Sequence, residues 1–421
     1  MTDVVVHEGN ERDAGVVEEI CGFLTEQPPL SFFLFAGAGS GKTRTLVEVL
    51  RRLTGVVRHD NGGKLAHRLR LYGRSIRVVT YTKNAVAIIN GRLGSNDLVA
   101  VSTIHSFCWE LIAGFDHDIR EALIAIKTAQ LEKARTEAAA KKNGISKTDL
   151  RDFAEIEQEI EALRGVSKFM YNPDKETHGE GAIQHRHVLD ATAWLLLNRP
   201  TLRTILQDRH PIILIDESQD TMKSMLDALM KLAEPRGSGL TLGLLGDHRQ
   251  RIYTDGHSDL PGLVPGGWAK PELKMNHRSQ QRVVFLINKI WSAKLDGRTQ
   301  PPTGVEQHHR TEKNGGTVRL FIGNASLSTP EKRKREAWVA AQMQKAAKSD
   351  AWAMPEGYKS LALEHKLVAA RGDFLDQFSN AMYVNVTHAL RRSGEQHQLG
   401  CHRQGGGERQ GNDRRGRDNG R

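Results

Sequence analysis

Ser31-Phe32-Phe33-Leu34-Phe35-Ala36-Gly37-Ala38-Gly39-Ser40-Gly41-Lys42-Thr43 decides the fold. An uncharged aromatic run stops abruptly in small residues, and a lysine and a hydroxyl follow. Ser31 to Phe35 has the composition of a buried strand, whereas Thr43-Arg-Thr-Leu-Val-Glu-Val-Leu50 carries the apolar spacing of a helix. A strand that empties through glycines into a helix N-terminus is a phosphate cradle. The glycines let backbone N–H groups turn inward on a polyphosphate, Lys42 reaches the β- and γ-phosphates, and Thr43 offers its hydroxyl to Mg²⁺. The segment predicted to hold a nucleoside triphosphate is Ala36, Gly37, Ala38, Gly39, Ser40, Gly41, Lys42, Thr43 and Arg44. Ala36 stands where the strict pattern of such loops has a glycine, so the match is to a relaxed form.

Working outward, 421 residues with 38% hydrophobic content suffice for more than one core, and two or three domains are expected. Sixty basic against fifty acidic residues leave a net charge of +10, which suits a polyanionic partner and equally a solvated basic surface. Cys21, Cys108 and Cys401 lie far apart with no Cys-x-x-Cys pair, so neither a zinc site nor a disulfide framework is indicated. No apolar segment approaches the ~20 residues that span a bilayer, and the acidic N-terminus is not a signal peptide. A soluble protein in a reducing cytoplasmic setting is expected, at the nucleoid if the source is bacterial.

The spacing Val16-Val17-Glu-Glu-Ile20-Cys-Gly-Phe23-Leu24 predicts an amphipathic helix ahead of the first strand. Ile76-Arg-Val-Val-Thr80 and Leu98-Val-Ala-Val-Ser102 read as further strands, each ending in polar groups: Tyr81, Thr82 and Asn84 after one, Thr103 and His105 after the other. In an open α/β sheet ligands bind at that edge, which predicts that these groups line one crevice with Lys42. From Phe107 to about Pro200 the pattern turns helical and charged. Phe153, Ile156, Ile160 and Leu163 predict one arm of an antiparallel hairpin, and the alanine- and lysine-rich run before Gly144 the other. Lys127, Lys133, Lys141 and Lys142 are interleaved with glutamates and read as solvated faces.

The sheet resumes at Ile212-Ile-Leu-Ile215, which delivers Asp216-Glu217-Ser218-Gln219-Asp220-Thr221. Asp216 can hold the Mg²⁺ that Thr43 ligates, and Glu217 can orient and deprotonate an attacking water. Either carboxylate could instead cap the following helix, Met222 to Leu232. A fifth strand, Leu242 to Leu245, ends in Gly246-Asp247-His248-Arg249-Gln250-Arg251-Ile252-Tyr253.

As a set, these motifs resemble those of superfamily 1 helicases of the UvrD/Rep type. The residues that carry the resemblance are Ala36 to Thr43, Val79-Thr-Tyr-Thr-Lys-Asn84, Thr103-Ile-His-Ser106, Asp216 to Thr221, Gly246-Asp247 with Gln250 and Tyr253, and Asn276-His-Arg-Ser279. It spans roughly Ser31 to Ala370 and implies an α/β fold: a RecA-like parallel-sheet P-loop NTPase domain with a helical insertion, then a partial second RecA-like domain. The expected divisions are 1–110 and 206–270 for the first domain, 111–205 for the insertion, 271–390 for the second domain and 391–421 for a basic tail. The resemblance implies ATP and Mg²⁺ as cofactors, and single-stranded DNA or single/double-strand junctions as partners in repair or recombination. It implies catalytic roles for Glu217, Gln219, Gln250 and Arg278, the last as an arginine finger. His277 stands where many relatives stack a tyrosine on adenine, and Tyr81, Thr82, Asn84, Thr103, His105 and Tyr253 would line the DNA path. Where relatives often have a tryptophan two residues past that last tyrosine, this chain has Asp255.

Beyond Asn276 the pattern predicts a strand end and helix over Leu273 to Ile290, a strand at Thr317–Ile322, a helix at Glu331–Lys348, and a strand and helix over 360–363 and 366–378. The expected Thr-x-His-x-x-Lys-Gly motif is absent; Val386-Thr387-His388 echoes it with the wrong spacing. Arg391 to Arg421 holds eight arginines and four acidic residues among many glycines, and is expected to be disordered. The break in the pattern predicts a terminus left by truncation or a frame change, ahead of an Arg/Gly nucleic-acid tail or a bland solubilising end. Two functions follow: a DNA-stimulated ATPase that moves on single strands, or a module that binds nucleotide and DNA without turnover.

Overall fold

The computed structural model describes residues 9–353 apart from 143, 174–177, 180, 293–304 and 325, and beyond them 357–359, 361 and 368–369. The described residues up to 316 form one unit and those from 317 onward another.

In the first unit, β1 (Phe32–Ala36), β2 (Ile76–Thr80), β3 (Val99–Thr103), β4 (Ile212–Asp216), β5 (Thr241–Gly246) and β6 (Glu272–Leu273) make one sheet. Its order is β3-β2-β4-β5-β1-β6 and every pairing is parallel. The inner strands β1, β4 and β5 are nearly continuous apolar runs because both faces are covered, whereas β2 carries the buried Arg77 and the edge strand β3 is half-buried. Phe33, Phe35, Val79, Ile213, Ile215, Leu242 and Leu244 enter one core, whereas Phe32, Leu34, Ile76, Val78, Ile212, Leu214 and Leu245 enter the other. That alternation is the period of two inherent to a strand. Gly243 sits at the centre of β5, where a Cβ would come within 2.6 Å of Phe32 and 2.5 Å of Leu214. A ring from β1 and a leucine from β4 fill the place of its side chain.

Helices α1 (Val16–Thr25), α2 (Lys42–Leu53), α3 (Gly62–Leu71) and α4 (Lys83–Leu93) cover the second of these faces. The first is covered by α5 (Ile104–Ile112), α6 (Asp116–Ala139), α8 (His185–Asn198), α9 (Pro200–Arg209) and α10 (Lys223–Ala233). Between them α7 (Lys147–Gly165) pairs with α6 as the expected antiparallel hairpin, its own small core made of Leu131, Ala138 and Phe153. Ion pairs Lys127–Glu159, Arg135–Glu157 and Lys141–Asp149 run in opposite sequence directions along the two arms, and Lys133 pairs with Glu137. The turn into α7 is closed by a capping box in which Ser146 and Asp149 satisfy one another's backbone N–H groups. A single turn, α11 (Leu260–Leu263), precedes β6. Then β7 (Met275–Asn276) pairs in parallel with β8 (His308–His309), and α12 (Gln281–Ser292) lies between them in sequence.

In the second unit, α13 (Thr329–Ala347) begins on a Ser328/Glu331 capping box and carries Trp338 edge-on to Phe321 at 5.7 Å. Thr317–Ile322 is not the strand its alternation predicts. Leu320 and Ile322 are 86% and 89% exposed, and no described strand offers this segment a ladder partner. Alternating apolar residues make a strand only where a neighbour takes their backbone bonds and covers one face. The predicted elements over 360–363 and 366–378 lie almost wholly outside the described residues. Val386–His388 and the Arg/Gly tail lie entirely outside them.

Candidate active site

The loop after β1 is built by backbone geometry. Gly39 and Gly41 have φ of +73° and +88°, in the left-handed region that glycine enters without a Cβ clash. Gly41 is the N-cap of α2, so the helix starts at Lys42 with the loop across its positive end. Residues 37–44 line a cavity of about 630 Å³ together with Arg92, Glu217, Gln250, His277, Arg278 and Lys313. The buried Ser40 hydroxyl has no hydrogen-bond partner among the described residues.

At the end of β4 the chain turns sharply. Glu217 is in the left-handed region (φ 52°, ψ 46°), a conformation that costs an L-residue about 1–2 kcal/mol. The turn sends its carboxylate back to Lys42, whose ammonium it binds directly, while Asp216 Oδ1 lies 3.5 Å from the same nitrogen. Burial pushes the Asp216 carboxyl above the usual carboxylate range, and Lys42 pulls it part of the way back. Neither carboxylate caps α10, whose N-cap is Met222.

Gln219 is buried behind the cavity rather than on it. Its amide donates to Glu217 Oε2 (2.8 Å) and accepts from the Asp247 backbone N–H (3.2 Å), tying the end of β4 to the end of β5. Asp247 is the hub there: its carboxylate takes a two-pronged bond from Arg249 and one from Gln250 Nε2 at 3.0 Å. The Arg249 guanidinium lies 4.8 Å over the Phe35 ring, which desolvates the pair without leaving its charge unmatched.

Asn276 anchors the segment after β7. Its Oδ1 accepts from the backbone N–H groups of Arg278 (3.0 Å) and Ser279 (2.8 Å), a local turn that aims the Arg278 side chain at the cavity. The His277 N–H donates to Gly39 O at 2.8 Å, and its ring packs over Gly41. Burial and neighbouring Arg310 lower the His277 pKa. His277 and Arg44 also border a second cavity, of about 580 Å³, whose far wall comes from the lead-in residues Asn10 to Glu18. Asp13 fixes that lead-in, accepting from the N–H groups of Lys274 (2.7 Å) and Met275 (3.0 Å).

The predicted groups therefore fall into two places. Gly37 to Arg44, Glu217, Gln250, His277 and Arg278 meet at one cavity, with Asp216 and Gln219 directly behind it and Ala36 buried in β1. Tyr81, Thr82, Asn84, Thr103 and His105 do not line it, contrary to the single crevice expected, and neither does Tyr253. For the residues after β2 and β3 the strand order explains why, since both strands lie on the far side of β4 from β1, whereas Tyr253, in the segment after β5, turns away from the cavity to meet Tyr81. At that end the Tyr81 and Tyr253 rings lie 4.9 Å apart, and burial together with a bond to Tyr253 raises the Tyr81 pKa. Asp220 Oδ1 holds the Tyr253 segment by accepting from the N–H groups of Ile252 (3.0 Å) and Tyr253 (3.4 Å). Thr82 and Thr103 are the N-caps of α4 and α5, and Asn84 is exposed in the first turn of α4. His105 meets His185 edge-on at 5.0 Å, and burial lowers its pKa to about 4. Arg92 and Lys313, absent from the sequence reading, line the cavity from α4 and from the segment after β8; neither belongs to a motif that could have flagged it.

A family model described as an AAA domain matches residues 28–255. That is more than half of the chain, which therefore belongs to this family of P-loop NTPases. Over 322 residues the chain is 25% identical to Gabija protein GajB of Bacillus cereus, covering 61% of this chain and 46% of that protein. It is also similar to the RecBCD enzyme subunit RecB of Chlamydia trachomatis, 31% identical over 28% of this chain and 12% of the subunit. The RecB of Borreliella burgdorferi is 24% identical over 38% of this chain and 14% of the subunit. The chain thus spans less than half the length of each of these relatives. No helix among the described residues is long and apolar enough to cross a membrane.

Proposed function

We propose that this member of the AAA-domain family is the Mg²⁺-ATP-hydrolysing core of a motor that moves on single-stranded DNA, of the helicase or translocase kind. The observation that carries the reading is the convergence of a glycine loop, Lys42, Glu217, Gln250 and Arg278 on one cavity. The glycines, the helix N-terminus and the unpartnered Ser40 hydroxyl fit a polyphosphate. Thr43 and Asp216 are the hard oxygen donors that Mg²⁺ takes, and bound Mg²⁺ would neutralise charge on the phosphate oxygens.

In this reading Lys42 exchanges Glu217 for the β- and γ-phosphates when nucleotide arrives. The released Glu217 carboxylate, still held by Gln219, orients water on the γ-phosphorus and takes its proton as the bond to the ADP oxygen breaks. Arg278 and Gln250 stabilise the charge that develops on the transferred group. The adenine lies toward the second cavity, against His277 and Arg44. The Tyr81–Tyr253 pair and His105 receive bases at the other end of the sheet by neutral stacking, which is sequence-tolerant. The similarity to RecB and GajB supports this reading.

Steady-state ATP hydrolysis, measured with and without single-stranded DNA, tests this. Hydrolysis that DNA accelerates, and that Glu217→Gln abolishes, is expected. Nucleotide binding with no turnover in either condition would make the chain a binding module instead.

A further inference from the structure

Gln307 belongs to none of the motifs, yet it is 2% exposed and its side chain grips the phosphate loop. Its Nε2 donates to the Ala38 carbonyl at 3.2 Å, and Asn276 Nδ2 donates to the same oxygen at 2.9 Å. The two amides are also bonded to each other, Asn276 Nδ2 to Gln307 Oε1 at 3.2 Å. Their orientations are mutually fixed. Asn276 Oδ1 already accepts two backbone N–H groups, so its nitrogen must be the donor, and a carbonyl can only accept.

The Gln307 backbone is equally constrained. Its N–H donates to Asn288 Oδ1 (3.1 Å) and its carbonyl accepts from Asn288 Nδ2 (2.8 Å), so one α12 side chain satisfies both groups. Two residues earlier the Val305 carbonyl accepts from Arg249, the partner of Asp247; one residue later the His308 N–H donates to Lys274 O. Space is as tight as the bonding. A Cβ on Gly37 would fall 2.3 Å from Gln307 Nε2, so glycine is needed there for this amide and not for a positive φ.

We propose that Gln307 is a positioning residue for the polyphosphate: with Asn276 it draws the Ala38 carbonyl to the outside of the loop. The peptide is planar and trans, so the Gly39 N–H points the opposite way from that carbonyl. The loop thereby offers its donor to the cavity before any ligand arrives, and no reorganisation is needed on binding. This rests on the cavity being the nucleotide site. The rival explanation is that Gln307 only fastens the 305–309 segment to the core.

Gln307→Met keeps the length and packing but cannot donate, and Gln307→Glu turns an acceptor toward Ala38 O. Equilibrium titration with Mg²⁺ and a non-hydrolysable ATP analogue, with thermal unfolding alongside, separates the explanations. Both variants are expected to weaken the analogue about tenfold or more, and in turnover to raise KM far more than they lower kcat. Gly37→Ala should weaken binding too, and Gln307→Ala in the same chain should recover part of that loss by vacating the space. Variants that melt earlier but bind the analogue as the unmodified chain does would overturn the proposal and leave a structural amide. An unmodified chain that binds no analogue would overturn the nucleotide reading itself, and this proposal with it.

Discussion

The two ends of the sheet's C-terminal edge are made of different chemistry. Across β4, β5 and β1 the groups are charged or backbone: Lys42 on Asp216 and Glu217, Arg249 on Asp247, and a loop whose glycines expose main-chain N–H groups. At the end with β2 and β3 ring faces and hydroxyls take over: Tyr81 paired with Tyr253 from the segment after β5, capping hydroxyls and an imidazole kept uncharged near neutral pH, with the carboxylates of Asp220 and Asp255 close to Tyr81. A compact polyanion is held by converging charge and dipoles, whereas a chain of bases is held by ring faces that ask little of sequence. In the proposed motor one fold would supply both, the strand order keeping Lys42 and Tyr81 apart. The segment Glu217–Asp220 touches each: Glu217 holds Lys42, Gln219 holds Asp247, and Asp220 holds the backbone of Tyr253.

The largest way to break this contrast is Lys42→Ala. Removing the charge that faces the phosphates should cost about 10²-fold or more in ATP hydrolysis, measured by phosphate release. Activity close to that of the unmodified chain would mean the cavity is not where phosphoryl transfer happens. At the other end, Tyr81→Ala and Tyr253→Ala should each weaken single-stranded DNA by about 1–3 kcal/mol in a fluorescence titration. Because a ring contributes no charge, the dependence of affinity on salt should stay as it was; a flattened slope would show that these rings work through phosphates. Gly243→Ala probes the shared core under both ends. The added methyl meets Phe32 and Leu214, and overpacking of about 1–3 kcal/mol should lower the melting temperature.

A separate effect is expected in pH. His105 and His210 are held at about 4, chiefly by burial, against an ordinary 6.5. Between those values the unfolded chain binds protons that the folded chain does not, so their contribution to stability is level above about pH 6.5 and falls as pH drops toward 4. Thermal melts across that window should show the fall, and His210→Gln should make it shallower.

The parallel sheet was legible because strands buried on both faces are unbroken apolar runs, and those runs end in the polar groups that matter. Ile212 to Asp216 illustrates both at once. The strands of two residues, at Glu272, Met275 and His308, carry no periodicity to read. Thr317–Ile322 carries periodicity without a partner. The loop and the carboxylates after β4 announced themselves by local pattern, whereas Gln307, Arg92 and Lys313 reach the cavity region only through tertiary proximity. That Tyr81 and Lys42 lie at opposite ends of one edge depends on strand order, which no local motif encodes.

In the proposed motor these two ends form one working unit. Its most direct test is the affinity of the chain for a labelled single strand, with and without saturating Mg²⁺ and a non-hydrolysable ATP analogue. A shift of about fivefold or more, in either direction, that Lys42→Ala removes is expected. Identical affinities in a chain that demonstrably binds the analogue would contradict it, leaving two sites that share a sheet and nothing else.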